Sequence, residues 1–112
     1  MATSRESLQR MFDRMKSESG WDPEHEAMRF GYFFIDEDPT KLAVLGEVLE
    51  GVGYHVAEIR KDDEGDFYWL HLERVEKHNV DSLVARNEDL EFLATEYDLD
   101  AYDGWDVGPA AE

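Results

Sequence analysis

The sequence has no cysteine in 112 residues, and it has only 11 basic residues against 28 acidic ones. The absence of cysteine excludes disulfides, thiolate metal sites and cysteine nucleophiles. The shortage of Lys and Arg leaves a net charge of −17 at pH 7. This charge argues against direct contact with nucleic-acid phosphates or with an anionic membrane surface. A protein partner with a basic surface, a cation, or no charged partner at all are the alternatives that this charge leaves open.

Long apolar runs are also missing from the chain. No window approaches the roughly 20 apolar residues of a membrane span, and the N-terminus has no signal-peptide core. Hydrophobic residues nevertheless make up 42% of the chain and aromatic residues 12%, which is too much for a disordered acidic tail. We therefore expect one folded, cytoplasmic domain.

The negative charge is distributed unevenly along the chain. Residues 1–19 carry a net charge of +1, so the remaining 93 residues carry −18. After His78 there is one basic residue, Arg86, against ten acidic ones. The C-terminal third is therefore the part most suited to a basic partner.

Residues 1–20 are predicted to form a separate amphipathic helix. Ser4 can cap this helix and Gly20 can end it. Its apolar residues recur at helical spacing, at Leu8, Met11, Phe12 and Met15. We expect this stripe to pack either on an open face of the sheet or on a second copy of the chain, which would make a homo-oligomer.

The pattern that follows predicts an α+β domain over residues 21–107 and a frayed tail over 108–112. The predicted elements are a strand at 28–35, a helix that begins at Asp38-Pro39, strands at 54–61 and 67–74, a helix at 81–97 and a strand at 101–107. The order β-α-β-β-α-β is that of the ferredoxin-like fold. It places two helices on one face of a four-stranded antiparallel sheet.

An acidic turn between the second and third strands predicts a β-hairpin of defined register. Ile59 then lies opposite Leu70 on the core face. Ala57 lies opposite Leu72 and, like His55, faces the core. The other face of the hairpin would carry Val56, Glu58, Arg60, Phe67, Trp69 and His71. We expect the aromatic residues of this face to pack under the first helix or to stack on the arginine.

No pattern in the sequence indicates a catalytic, cofactor or metal site. The four histidines lack metal-ligand spacing, and the acidic clusters lack the spacing of a calcium loop. There is no phosphate-binding loop and no set of nucleophile and base. Aromatic residues on an open sheet face are typical of RNA-recognition modules, but the charge argues against RNA. An enzyme would need a bound metal or a pocket of converging carboxylates.

The most distinctive motif is Tyr102-Asp103-Gly104-Trp105 in the last predicted strand. Gly104 permits a β-bulge, and Tyr102 and Trp105 are expected to close the core. Asp103 is expected to hydrogen-bond backbone amides within the bulge. In this interpretation the motif is structural.

The motif also resembles the ribonuclease E inhibitor B family (regulator of ribonuclease activity B). The resemblance rests on the motif, on Leu93, Ala94 and Tyr97 before it, on the pair Gly53-Tyr54 and on the strong acidity, and it extends over roughly residues 26–107. It implies a ferredoxin-like domain without enzymatic activity. Such a protein binds ribonuclease E and restrains RNA decay by protein–protein contact.

We therefore expect an acidic surface that docks on a basic segment of ribonuclease E. The residues proposed for this surface are Glu88, Asp89, Glu96, Asp98, Asp100 and Asp103. An alternative is an acidic protein that neutralises a basic toxin or nuclease, or that mimics nucleic acid. A neighbouring gene for a basic nuclease would favour the alternative.

Overall fold

The structure is a computed structural model, and it describes residues 5–110. Its elements are α1 Arg5–Arg14, a π-helical turn Met15–Ser19, β1 Met28–Asp36, α2 Pro39–Glu50, β2 His55–Lys61, β3 Tyr68–Glu76, α3 Val80–Glu96 and β4 Ala101–Pro109. The predicted cap at Ser4 lies outside the described residues. The helical segment ends at Gly20, as expected, where a φ of 72° places the residue in the left-handed region.

The four strands form one antiparallel sheet in the order β2-β3-β1-β4. The mixed α/β architecture with three helices and four strands agrees with the sequence prediction at this level. β1 is central because its alternate side chains Phe30, Tyr32 and Phe34 are fully buried. On its other face Phe33 and Ile35 are only half-buried, so one face of the sheet is covered and the other is open.

Side-chain caps set the starts of α2 and α3. The carboxylate of Asp38 accepts the backbone N–H of Thr40 at 2.9 Å, with proline at the first helical position. Asn79 and Ser82 form a reciprocal capping box at the start of α3. This box starts α3 at Val80, one residue before the sequence predicted.

The three helices share one core on the covered face of the sheet. Leu8 and Phe12 of α1 are buried in the same cluster as the aromatic residues of β1, and α1 packs beside α3. The expectation that α1 covers the open face of the sheet is therefore wrong. Leu8 and Phe12 are buried within the chain whereas Met11 is exposed, and a homo-oligomer stays a prediction.

The β2–β3 hairpin has the predicted register only in its half nearest the turn. Ile59 lies opposite Leu70 as predicted, but a register shift at Ala57 brings Val56 opposite Leu72. The shift favours folding because valine buries more apolar surface than alanine. It also places His55 opposite Glu73 and leaves it exposed, so the core-facing position expected for His55 is wrong.

A second register shift lies in β4, at the motif. Tyr102 lies opposite Phe34, whereas the next paired residue, Gly104, lies opposite Phe33. Asp103 is thus an extra residue with no partner in the ladder, which is a β-bulge. The φ of Gly104 is 116°, a value that glycine adopts without strain. The expectation of a bulge at this glycine is confirmed.

The bulge explains the spacing of the two aromatic residues in the motif. Residues three apart in a regular strand point to opposite faces. Because Asp103 is extra, Tyr102 and Trp105 lie opposite Phe34 and Tyr32, both on the covered face. β4 then runs to Pro109, which pairs with Met28. Residues 108 and 109 therefore belong to the sheet, where the sequence suggested a frayed tail.

Candidate functional site

A polar network joins the end of β3 to α3 beneath the surface. The carboxylate of Glu76 receives two N–H groups of Arg86, at 2.6 and 3.0 Å. The hydroxyl of Tyr32 donates to the same carboxylate at 2.7 Å. Nε2 of His78 lies 3.0 Å from it, and Nδ1 of His78 lies 2.9 Å from the Ser82 hydroxyl. The network connects β1, β3 and α3.

These contacts change the acidity of the groups involved. Burial by itself would raise the pKa of Glu76, but hydrogen bonds from His78, Arg86 and Tyr32 outweigh burial and lower the pKa to about 2. Burial raises the pKa of Tyr32 far above its usual range, and the hydrogen bond to Glu76 raises it further. At neutral pH the network therefore holds a carboxylate, a neutral phenol and a guanidinium.

The network has the character of a structural cross-link. Tyr32 is fully buried and His78 is 4% exposed, so neither group faces a cleft that could admit a substrate. The Arg86 guanidinium also lies over the rings of Tyr32 and Tyr54, at 5.6 and 5.4 Å from their centroids. Arg86 is the one basic residue after His78, and its charge is paired with Glu76 within the protein.

The open face of the sheet contains a cleft of about 330 Å³, called the sheet cleft below. It is lined by Phe33, Glu58, Arg60, Trp69, His71, Asp103 and Trp105. These residues come from all four strands, so the cleft crosses the sheet. Hairpin alternation predicts four of them on one face of the sheet, but no local pattern in the sequence shows what covers that face.

The rings of the sheet cleft are held in fixed positions. The planes of Phe33 and Trp69 meet at 88° with their centroids 6.2 Å apart, which makes an aromatic corner. His71 stacks on Phe33 at 4.5 Å. The indole N–H of Trp69 donates to Oδ1 of Asp62 at 2.8 Å. That hydrogen bond also lowers the pKa of the Asp62 carboxyl.

The charges at the rim of the cleft differ in their pairing. Glu58 lies 3.5 Å from Nε of Arg60, so one carboxylate is matched by one cation. The exposed side chain of Asp103 has no hydrogen bond or ion pair within residues 5–110. The hydrogen bond to backbone amides that we expected of Asp103 is therefore not formed. Its carboxylate is available to a ligand.

The remaining residues expected to bind a partner are all exposed. Glu88, Asp89 and Glu96 lie on α3, whereas Asp98 and Asp100 lie between α3 and β4. Asp98 is also engaged within the chain, because Nζ of Lys41 lies 3.2 Å from its carboxylate. Asp103 is on the other side of the sheet from α3. The acidic residues therefore occupy two surfaces rather than one.

The other motif residues are built into the sheet. The Tyr102 hydroxyl donates to the side-chain oxygen of Asn87, and its ring lies 5.2 Å from that of Phe34. The amide nitrogen of Asn87 has no partner in the part of the chain that the structure describes. Trp105 packs against the core, with its ring 6.1 Å from Phe30.

One group of side chains in the loop before β1 has the spacing of a metal site. Potential ligand atoms of Asp22, Glu24 and His25 lie within 4.8 Å of one another. Nδ1 of His25 already lies 2.8 Å from the Asp22 carboxylate, and the hydrogen bond to His25 lowers the pKa of Asp22. No pattern in the sequence singles out this group.

The fold and the site together define a small acidic α/β domain with a cleft on the open face of its sheet. Among the described helices, none is long and apolar enough to cross a membrane. Residues 5–107 match the family described as Regulator of ribonuclease activity B. The chain therefore belongs to this family, as its motif suggested. No curated protein matches the chain.

Proposed function

We propose that the protein binds ribonuclease E and restrains its activity by protein–protein contact, with no chemistry of its own. Membership of a family of ribonuclease regulators supports this proposal. The observation that carries it further is the exposed acidic surface of α3. A regulator of RNA cleavage with this charge would meet a basic segment of the enzyme rather than its RNA. We also propose that it acts in the cytoplasm.

The proposed contact begins with electrostatic steering. Glu88, Asp89 and Glu96 are exposed on α3. The one basic residue after His78 is Arg86, and its charge is already paired with Glu76. Exposed charges of one sign accelerate encounter with an oppositely charged partner, and salt screens them. Association should therefore slow as the ionic strength rises.

The loop and motif residues divide between binding and folding in this proposal. Asp98 and Asp100 extend the acidic surface of α3 toward β4 and contact the partner, whereas Asp103 contacts it from the open face of the sheet. Tyr102, Gly104 and Trp105 maintain the fold around them, because each is tied into the sheet.

The test is direct binding to purified ribonuclease E at low and at high salt, with RNA cleavage measured in parallel. We expect binding and inhibition at low salt, and loss of both at high salt. The double variant Glu88→Gln/Glu96→Gln should associate more slowly. Glu47→Gln, an exposed acid on α2, is the matched control and should not. Absence of binding at low salt would overturn the proposal.

A further inference from the structure

We infer that the sheet cleft binds an arginine side chain of the protein partner. This inference rests on the proposed function, since it names the surface and the chemistry through which the partner is held. The cleft is distinct from the acidic surface of α3, which lies on the other side of the sheet. The cleft is lined by aromatic rings and by a carboxylate, and this combination favours a cation that also has an apolar face.

The aromatic corner of the cleft is suited to a planar cation. Phe33 and Trp69 present ring planes at 88° to each other, and cations are attracted to the faces of such rings. Trp69 is held by its hydrogen bond to Asp62, so little side-chain entropy is lost when a ligand binds. A planar guanidinium stacks on aromatic faces, and arginine makes such contacts more often than lysine does, which is why we name arginine.

The bulge supplies the counter-charge. Arg60 neutralises Glu58 at 3.5 Å, so the unpaired carboxylate of Asp103 sets the charge of the cleft. Bulges re-aim a side chain beside binding sites, and here the extra residue of β4 lines the cleft. Asp106 is exposed on the same face, opposite Gly31, and adds negative potential. An arginine can stack on the rings and pair with Asp103 at once.

Charge also excludes the other occupants of an open sheet face. A second copy of the chain would bring another charge of −17 to the same surface. Nucleic acid and small anions would be repelled in the same way. α1 is used elsewhere, because its buried side chains lie in the core. A basic protein segment remains as the occupant that the charges attract.

The first experiment compares two identical charge changes on the two surfaces. Affinity for ribonuclease E is measured for Asp103→Asn, for Phe33→Leu and for Asp89→Asn on α3. We expect Asp103→Asn and Phe33→Leu each to weaken binding about tenfold, chiefly through faster dissociation. Asp89→Asn should act mainly on association and on its salt dependence. Unchanged affinity in both cleft variants would overturn the inference.

The second experiment does not depend on ribonuclease E. The ¹⁵N-labelled full chain is titrated with acetyl-Gly-Arg-Gly-amide or with the same peptide carrying citrulline, which is isosteric and uncharged. The indole N–H signal of Trp69, assigned with Trp69→Phe, should shift with the arginine peptide only. Asp103→Asn should abolish that shift. Equal shifts with both peptides, or with neither, would reject an arginine site.

The two experiments separate failure of the cleft from failure of the proposed function. If ribonuclease E does not bind the unmodified chain at low salt, the proposed function fails, and the peptide titration still decides the cleft. Dimerisation in sedimentation experiments that Asp103→Asn abolishes would assign the cleft to a second copy, against the inference.

Discussion

Glu76 on β3 and Arg86 on α3 are joined by two N–O contacts of 2.6 and 3.0 Å, so that one ion pair ties the sheet to the longest helix. The carboxylate side chain is 14% exposed and the guanidinium 20%. Both charges are therefore largely withdrawn from water. Removing one of them leaves the other without the solvation or the partner that it needs.

We expect Glu76→Gln to lower the free energy of unfolding by about 2–3 kcal/mol, because Arg86 would keep its burial and lose its counter-charge. Urea denaturation measures the change. Glu73→Gln is the matched control, since Glu73 lies on the same strand but on the open face of the sheet. A loss as large in the control as in Glu76→Gln would contradict this account of the network.

The same pair predicts a pH dependence of stability. The pKa of Glu76 is about 2 in the folded chain, below its ordinary value of 4.5. The stabilisation from its carboxylate is therefore fully present above about pH 4.5 and is lost as the pH falls toward 2. Denaturation at several pH values should give a gap between the unmodified chain and Glu76→Gln that narrows over this interval. A gap that stays constant would refute the lowered pKa.

Tyr102→Phe should destabilise the chain by about 1–2 kcal/mol, because the buried oxygen of Asn87 loses its donor. Tyr97→Phe is the control, since the Tyr97 hydroxyl has no hydrogen bond among the described residues. In Asn87→Ala, the further change Tyr102→Phe should cost less than it does alone. Full additivity of the two changes in thermal denaturation would argue that the residues are not coupled.

Gly104→Ala tests the backbone of the bulge. The space around the added Cβ is empty, with no atom within 4 Å, so the cost arises from the positive φ. We expect a loss of about 1–3 kcal/mol. Gly108→Ala in the same strand meets only an ordinary contact with Arg29 and should be nearly neutral. Equal unfolding midpoints for the two variants would contradict a strained site at Gly104.

Asp98→Gly should separate binding from stability at the end of α3. Asp98 has a φ of 58°, a conformation that glycine adopts at lower cost, while its surface pair with Lys41 contributes little. We expect a small rise in the thermal unfolding midpoint together with slower association to ribonuclease E. A fall in the midpoint would mean that the Lys41 contact matters more than the backbone.

Local signals in the sequence predicted most of the elements. Adjacent residues specify the strand that begins at Met28, the helix cap at Asp38 and the half of the hairpin nearest the turn, because alternation and capping act over a few positions. Register shifts are different, since they depend on which of two neighbours buries more surface across the strands. For that reason Val56 and His55 were assigned to the wrong faces.

The candidate site was harder to predict because it depends on what covers the sheet. Alternation along the hairpin predicts Trp69, His71, Glu58 and Arg60 on one face, and the sequence predicts that α1 packs either on this face or on a second chain. Leu8 is instead buried in the core on the covered face, so α1 does not lie over these residues. No local pattern in the sequence shows where α1 packs. The spacing of Tyr102 and Trp105 did contain a signal, since two core residues three apart in one strand require a bulge between them.

The length of β4 has one further consequence. The strand is one residue longer than its pairing with β1 requires, and the surplus residue is Asp103. Without it, Tyr102 would still face Phe34 and Trp105 would still face Tyr32, so the chain could lose this carboxylate without reorienting its neighbours. In the proposed contact, recognition depends on Asp103 and folding on Tyr102, Gly104 and Trp105, so each can change while the other is kept.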